Sequence, residues 1–190
     1  MKVGVLALQG AVSEHIGMLE QLGATAAAVK KVEDLHDLDG LVIPGGESTT
    51  ISKLMHKYGL MEAVRQFGEA KKPIFGTCAG AILLAKEIQG QDEHHLGLME
   101  IKVERNAFGR QKESFEVNLP IAHVGADYPA VFIRAPYIVE VSERGDVLAK
   151  YEDKIVAARV DHYLACAFHP ELTEDTRLHK YFLDMIKEQA

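Results

Sequence analysis

Pro73-Ile74-Phe75-Gly76-Thr77-Cys78-Ala79-Gly80-Ala81-Ile82-Leu83-Leu84-Ala85 reads as a short apolar strand to Gly76, a tight turn from Thr77 to Gly80, and an apolar helix from Ala81 to Ala85. Glycines two residues before and two after Cys78 are the pattern of a nucleophile elbow, in which small neighbours permit a strained strand-to-helix turn that lifts one side chain clear of a sheet. A strand that turns straight into a helix is half of a βαβ unit, so the sheet it belongs to should be parallel and covered on both faces.

The flanking sequence repeats the alternation. Val3 to Leu8 reads as a strand, and from Ala11 the apolar positions Val12, Ile16, Leu19 and Leu22 follow helical spacing until Gly23 stops the helix where a C-cap glycine belongs. Ala24 to Val29 and Gly40 to Ile43 read as further strands, the second breaking at Pro44-Gly45-Gly46. Helical patterns then run from Ser48 to Tyr58 and from Leu60 to Ala70. Beyond the polar stretch Gln89 to His95 the character changes. Glu100 to Glu104, Ser114 to Asn118, Val131 to Arg134, Ile138 to Val141 and Ile155 to Val160 look like antiparallel or mixed strands. A last strand, Tyr163 to Phe168, ends at His169-Pro170-Glu171, and a helix from Glu174 to Lys187 closes the chain.

Composition fixes the class. The 190 residues are 47% hydrophobic and 26% charged, ordinary globular usage consistent with one domain over 1–190. A chain of this size buries roughly 70% of its unfolded surface, so it needs neither metal nor disulfide to hold a core. A net charge of −7 argues against nucleic-acid and anionic-membrane partners, which want a concentrated positive face. The N-terminal apolar run is too short for a signal h-region or a membrane span, which points to the cytoplasm. In that reducing compartment Cys78 and Cys166 are expected to stay unpaired.

Loops after the C-terminal ends of parallel strands line the crevice where ligands bind. Three unusual segments fall at such places: Pro44 to Ser48, Gly76 to Gly80, and Phe168 to Glu171. Cys78 at the helix start would have free amides beside it that favour the thiolate, and the amide of Ala79 would face a forming oxyanion. The plainer reading is a buried small side chain in a tight turn. His169 can serve as the base a thiolate needs and Glu171 as the group that orients it, with Pro170 fixing the backbone between them; a surface loop is the alternative. Gly45-Gly46 can let backbone amides approach a substrate or can be a simple turn. Glu47 can receive a substrate amino group or complement a helix N-terminus. His94-His95 beside Asp92 and Glu93 reads as a solvated loop and not a metal site, since adjacent residues point apart.

Taken together, Gly-Thr-Cys-Ala-Gly, Phe-His-Pro-Glu and Pro-Gly-Gly-Glu-Ser resemble the class I, triad-type glutamine amidotransferases across essentially the whole chain. Four motifs narrow the likeness: Leu6 to Val12, Pro44 to Ile51, Arg105 to Gln111 and Phe132 to Pro136 resemble the glutaminase-subunit family of pyridoxal 5′-phosphate synthase. The resemblance implies a three-layer, flavodoxin-like fold with a mixed, mostly parallel sheet. It implies Cys78 as nucleophile on the glutamine side-chain amide, His169 as proton relay and Glu171 as its orienting partner, with Gly46 and Ala79 as the oxyanion hole. Gly46, Glu47, Ser48, Arg105, Ile133 and Arg134 would form the glutamine pocket, with Gln9 near the oxyanion site. It also implies a (β/α)₈-barrel synthase partner in a large hetero-oligomer, which takes the ammonia and combines it with a pentose and a triose phosphate. PLP would then be a product of the complex, and this chain needs no cofactor.

Two rival readings remain open. An amidotransferase subunit serving another synthase, such as that for imidazole glycerol phosphate, is opposed by the Arg105–Gln111 and Phe132–Pro136 motifs. A non-enzymatic flavodoxin-like binding domain with an oxidisable elbow cysteine is opposed by His169-Pro170-Glu171.

Overall fold

The computed structural model describes residues 1–106, 108 and 114–190. Of the Arg105–Gln111 motif, Ala107, Gly109, Arg110 and Gln111 therefore lie outside the described residues.

The first half of the chain alternates as expected: β1 (Lys2–Leu6), α1 (Val12–Gln21), β2 (Thr25–Val29), a 3₁₀ turn at Val32–Leu35, β3 (Gly40–Ile43), α2 (Ser48–Lys57), α3 (Leu60–Glu69), β4 (Ile74–Thr77) and α4 (Ala79–Leu84). The second half is strand-rich: β5 (Ala85–Ile88), β6 (Met99–Glu104), β7 (Ser114–Ile121), β8 (Gly125–Ile133), β9 (Tyr137–Val141), β10 (Gly145–Tyr151), β11 (Lys154–Val160) and β12 (Tyr163–Cys166). A 3₁₀ turn at Pro170–Leu172 and α5 (Arg177–Gln189) complete it. No helix among the described residues is long and apolar enough to cross a membrane.

The main sheet runs β2-β1-β3-β4-β12-β11-β9-β6-β5, with β10 paired to β11. From β2 to β12 every pairing is parallel. From β12 through β11 and β9 to β6 the pairings are antiparallel, and β5 joins β6 in parallel. Side-chain alternation sorts the core into two layers. Leu41, Ile43 and Ile74 face Ile51 and Met55 of α2, Met61 and Val64 of α3, and the apolar α4. Val3, Val5, Val42, Phe75 and Leu164 face Leu19 of α1, Leu178 and Phe182 of α5, and Tyr128 and Phe132 of the antiparallel β7–β8 hairpin. The three-layer arrangement is the expected one.

The differences from the sequence reading have local causes. Neither β5 nor β10 was anticipated. Lys86 and Glu87 are exposed in the middle of β5, and register shifts at Val147, Ala149 and Lys150 break the period-2 pattern of β10. The last helix starts at Arg177 instead of Glu174 because Thr173 Oγ1 accepts from the Asp175 amide at 3.2 Å and Asp175 Oδ1 accepts from the Arg177 amide at 3.0 Å, so the chain turns before it coils.

Candidate active site

Sheet order brings the unusual segments together. β3, β4 and β12 are neighbours, with Ile43 opposite Gly76 and Cys166 opposite Thr77, so their C-terminal loops emerge side by side. Close packing explains the glycines. A Cβ on Gly76 would sit 2.5 Å from the carbonyl oxygen of Gly80, and one on Gly80 would sit 2.1 Å from that of Ile43. Only bare backbone lets α4 begin this near to the sheet. Cys78 at the crest has φ 52°, the strained left-handed conformation an elbow requires. Its amide bonds the Cys166 carbonyl at 2.9 Å, which ties the turn to β12.

His169 follows β12, and its backbone amide donates to the Val131 carbonyl of β8 at 2.8 Å. Its ring Nδ1 lies 3.1 Å from Glu171 Oε2, which leaves Nε2 for Cys78. Glu171 is buried and His169 nearly so. Burial alone would push the imidazole down, yet hydrogen bonds and charge from Cys78 and Glu171 outweigh it and carry His169 up to about 10. The thiol itself is 7% exposed, and Sγ has a long contact, 3.8 Å, to the Ile133 carbonyl. Gly45 touches both partners: a Cβ there would lie 2.7 Å from His169 Cε1 and 3.3 Å from Cys78 Cβ. Cys78 and His169 thus stand side by side, with Glu171 behind the His169 ring.

In front of it opens a cavity of about 650 Å³. Gly46, Glu47, Ser48, Cys78, Ala79, Arg105, Ile133, Arg134 and His169 all line it. Glu171 stands behind His169, and Gln9 behind the glycine loop, where its Oε1 accepts from the Glu47 amide at 2.5 Å. Every expected site residue is therefore in the wall or directly supports it. The carboxylate of Glu47 caps α2, accepting from the Thr49 and Thr50 amides at 3.3 and 2.8 Å and from Thr50 Oγ1 at 2.6 Å. The hydrogen bonds from Thr50 bring its pKa down to about 2. Oε1 also lies 3.4 Å from Arg105 Nη2, so an anion and a cation meet at the cavity rim. Asn106 (φ 49°) and Arg134 (φ 46°) hold left-handed backbone there.

Sequence reasoning missed Ile82 and Ser114, which also line the cavity, and His15 and His179, which lie buried behind Glu171. Ile82 could have been found, since it sits one helical turn beyond Cys78. Nothing local marks the histidines, because they meet through tertiary packing alone. Among the described residues no three His, Cys, Asp or Glu side chains gather as metal ligands. His95 instead pairs its Nδ1 with Ser52 Oγ at 3.0 Å.

Known proteins resemble this chain over nearly its full length. A Brevibacillus brevis protein named pyridoxal 5′-phosphate synthase subunit PdxT is 82% identical over 188 residues, covering 99% of this chain and 98% of its own. A Geobacillus protein of the same name is 63% identical over the same span, with the same coverage. A crystal structure described as a glutamine amidotransferase superposes with a TM-score of 0.92 at 51% identity, covering 97% of this chain and 98% of its own. The sequence model of the SNO glutamine amidotransferase family matches residues 5–188, and with relatives this similar along its whole length the chain belongs to that family.

Proposed function

We propose that the chain hydrolyses L-glutamine to L-glutamate and ammonia through a thioester on Cys78, and hands the ammonia to a (β/α)₈-barrel synthase subunit that makes pyridoxal 5′-phosphate. The observation that carries the chemistry is the placement of Cys78 and His169 side by side in the wall of one cavity, with Glu171 3.1 Å behind the His169 ring and charged groups at the rim.

In this reading the guanidinium groups of Arg105 and Arg134 take the α-carboxylate of glutamine, Glu47 takes the α-amino group, and Ser48 and Ile133 shape the pocket around the side chain. The Cys78 thiolate attacks the amide carbon. The electron pair moves to the carbonyl oxygen, which the amides of Gly46 and Ala79 stabilise. His169, protonated and held by Glu171, gives its proton to the departing nitrogen; the C–N bond breaks, ammonia leaves and a γ-glutamyl thioester remains. His169 then takes a proton from water as the water attacks the thioester, and the second tetrahedral intermediate collapses to glutamate and free Cys78. The helix-start amides of Ala79 and Gly80 have no acceptor within α4, so they are available for this role.

Docking of the synthase completes the site. Gly46 has φ 141°, a conformation open to glycine alone, and Gln9 braces the following peptide through the Glu47 amide. A partner that presses on Gln9 and Gly10 would reorient that loop at little steric cost. One oxyanion donor is worth on the order of a hundred- to a thousandfold in turnover, so ammonia release from glutamine is expected to rise by up to that factor when the synthase subunit is added. With pentose and triose phosphates present the complex should form PLP from glutamine, and the complex carrying Cys78→Ala should do so only from ammonium salt. Equal glutaminase rates with and without the synthase would end the activation idea. Ammonia delivered to a different synthase and no PLP would favour the rival subunit assignment and leave the triad chemistry intact.

A further inference from the structure

The polar contacts do not stop at Glu171. Its Oε2 serves His169, and its Oε1 turns the other way, 3.7 Å from Nε2 of His15 on α1. Nδ1 of His15 lies 2.9 Å from Nε2 of His179 on α5. Both rings are fully buried. At 3.7 Å the first of these is a charge–dipole contact and not a formed hydrogen bond. Neither Glu171 Oε1 nor His15 Nε2 has a hydrogen-bond partner among the described residues, so each is the other's available complement.

The 2.9 Å contact decides the tautomers. Suppose His15 donates from Nδ1. Its Nε2 lone pair then faces the carboxylate oxygen, two acceptors opposed, and His179 keeps a buried Nδ1–H with no acceptor. Suppose instead that His179 donates from Nε2. His15 then carries its proton on Nε2, aimed at Glu171 Oε1, and the unpartnered atom is merely the lone pair on His179 Nδ1. Orphaned N–H groups are the rarer and costlier kind, so the second arrangement holds. Burial, with His179 beside it, holds His15 well below the ordinary imidazole value, and burial brings His179 down to about 4, so both rings are neutral.

We propose that His15 is a positioning residue for glutamine hydrolysis: its Nε2–H, aimed by His179, fixes the Glu171 carboxylate in the orientation in which that carboxylate holds His169. The proposal rests on the glutaminase reading above. A neutral donor suits the task, because it anchors the carboxylate without offsetting the charge that favours the His169 imidazolium. The other titratable groups facing Glu171, Tyr128 of β8 and Cys166 of β12, are pushed up by burial and stay neutral too. Facing His169 are Cys78, Glu171 and, behind them, His15.

Two near-isosteric substitutions separate the ring's nitrogens. The amide nitrogen of glutamine falls near the position of histidine Nε2, and that of asparagine near Nδ1. In the full chain assayed with its synthase subunit, His15→Gln should keep kcat within about threefold of the wild type. His15→Asn should lower kcat by about tenfold or more with KM little changed, as expected for a base held loosely. It should also displace the alkaline limb of the kcat profile to lower pH, since a looser Glu171 favours the imidazolium less. Equal kcat in the two variants, or an unmoved limb in His15→Asn, overturns the proposal. Nitrogen-15 NMR of the wild-type imidazoles tests it without any substitution: both rings should be neutral with the proton on Nε2, and a proton on His15 Nδ1 overturns it. A wild type that releases no ammonia from glutamine would instead defeat the glutaminase reading, and with it the catalytic half of this one, while the NMR result would still decide the tautomers.

Discussion

Cys78→Ala and His169→Asn are each expected to bring glutamine hydrolysis to background, a loss on the order of 10⁴- to 10⁶-fold in kcat, while the protein stays folded. The elbow owes its shape to Gly76 and Gly80, whose bare backbones meet each other and β3, and not to the thiol. His169 is anchored through its backbone amide to Val131, a bond that asparagine keeps. Glu171→Gln should cost less by about one to two orders of magnitude, because in the proposed mechanism it weakens orientation without removing the nucleophile or base. Melting temperatures and turnover measured together check this, and equal destabilisation of all three variants would mark the three side chains as structural. A glutamine-analogue diazo-ketone should label Cys78 and spare Cys166. The second thiol is fully buried, donates to the Phe168 carbonyl at 3.3 Å, and is pushed well up by burial, so it offers neither access nor thiolate.

Gly45→Ala is expected to cost roughly a hundredfold in kcat for the addition of one methyl group. That methyl would arrive 2.7 Å from His169 Cε1 and 3.3 Å from Cys78 Cβ, so the imidazole has to retreat by several tenths of an ångström. The ring is held through Nδ1, itself 3.5 Å from the new methyl, at 3.1 Å from Glu171, and any retreat spoils the alignment with either the thiol or the carboxylate. Displacements of this size at a reacting centre cost about two orders of magnitude. Overpacking costs about 1–3 kcal/mol of stability, a fall of several degrees in Tm, so the variant should remain folded at assay temperature. A kcat within about fivefold of the wild type would show that the glycine is there for the turn alone.

The grouping of the candidate site residues was more legible than the fold that carries them. Cys78, His169 and Glu171 could be picked out because strained elbows and post-strand loops leave glycine and proline signatures in the chain itself, and because parallel strands put such loops on one edge. The first half of the fold was readable for the same reason, since each βα unit is a local pattern. The second half was not. In β10 two register shifts destroy the alternation that would have announced a strand, and in β5 exposed Lys86 and Glu87 hide a segment whose partner, β6, is supplied only by tertiary structure. Glu47 shows the limit of reading a residue for one purpose. The alternatives of helix cap and cavity anion do not compete, because its two oxygens cap α2 while one of them faces Arg105.

The pair of rings from α1 and α5, with His95 and His162 also lowered by burial, shapes how this protein meets acid. In the unfolded chain both titrate near 6.5, whereas in the folded protein His179 holds off its proton to about 4 and His15 also titrates well below its ordinary value. Below pH 6.5 the unfolded state gains protons that the native state refuses, so native stability falls as pH drops from 6.5 toward 4. His179 alone accounts for roughly 3 kcal/mol over that interval, a substantial part of a typical domain's 5–15 kcal/mol. His169 has the opposite sign: raised to about 10, its contribution is complete below 6.5 and is lost as pH climbs through 10. Tm should therefore peak near neutrality and decline on the acid side before most carboxylates titrate. Replacing His179 with leucine, beside Phe75, should flatten the acid decline, and a Tm for that variant that falls in parallel with the wild type would place the acid sensitivity elsewhere.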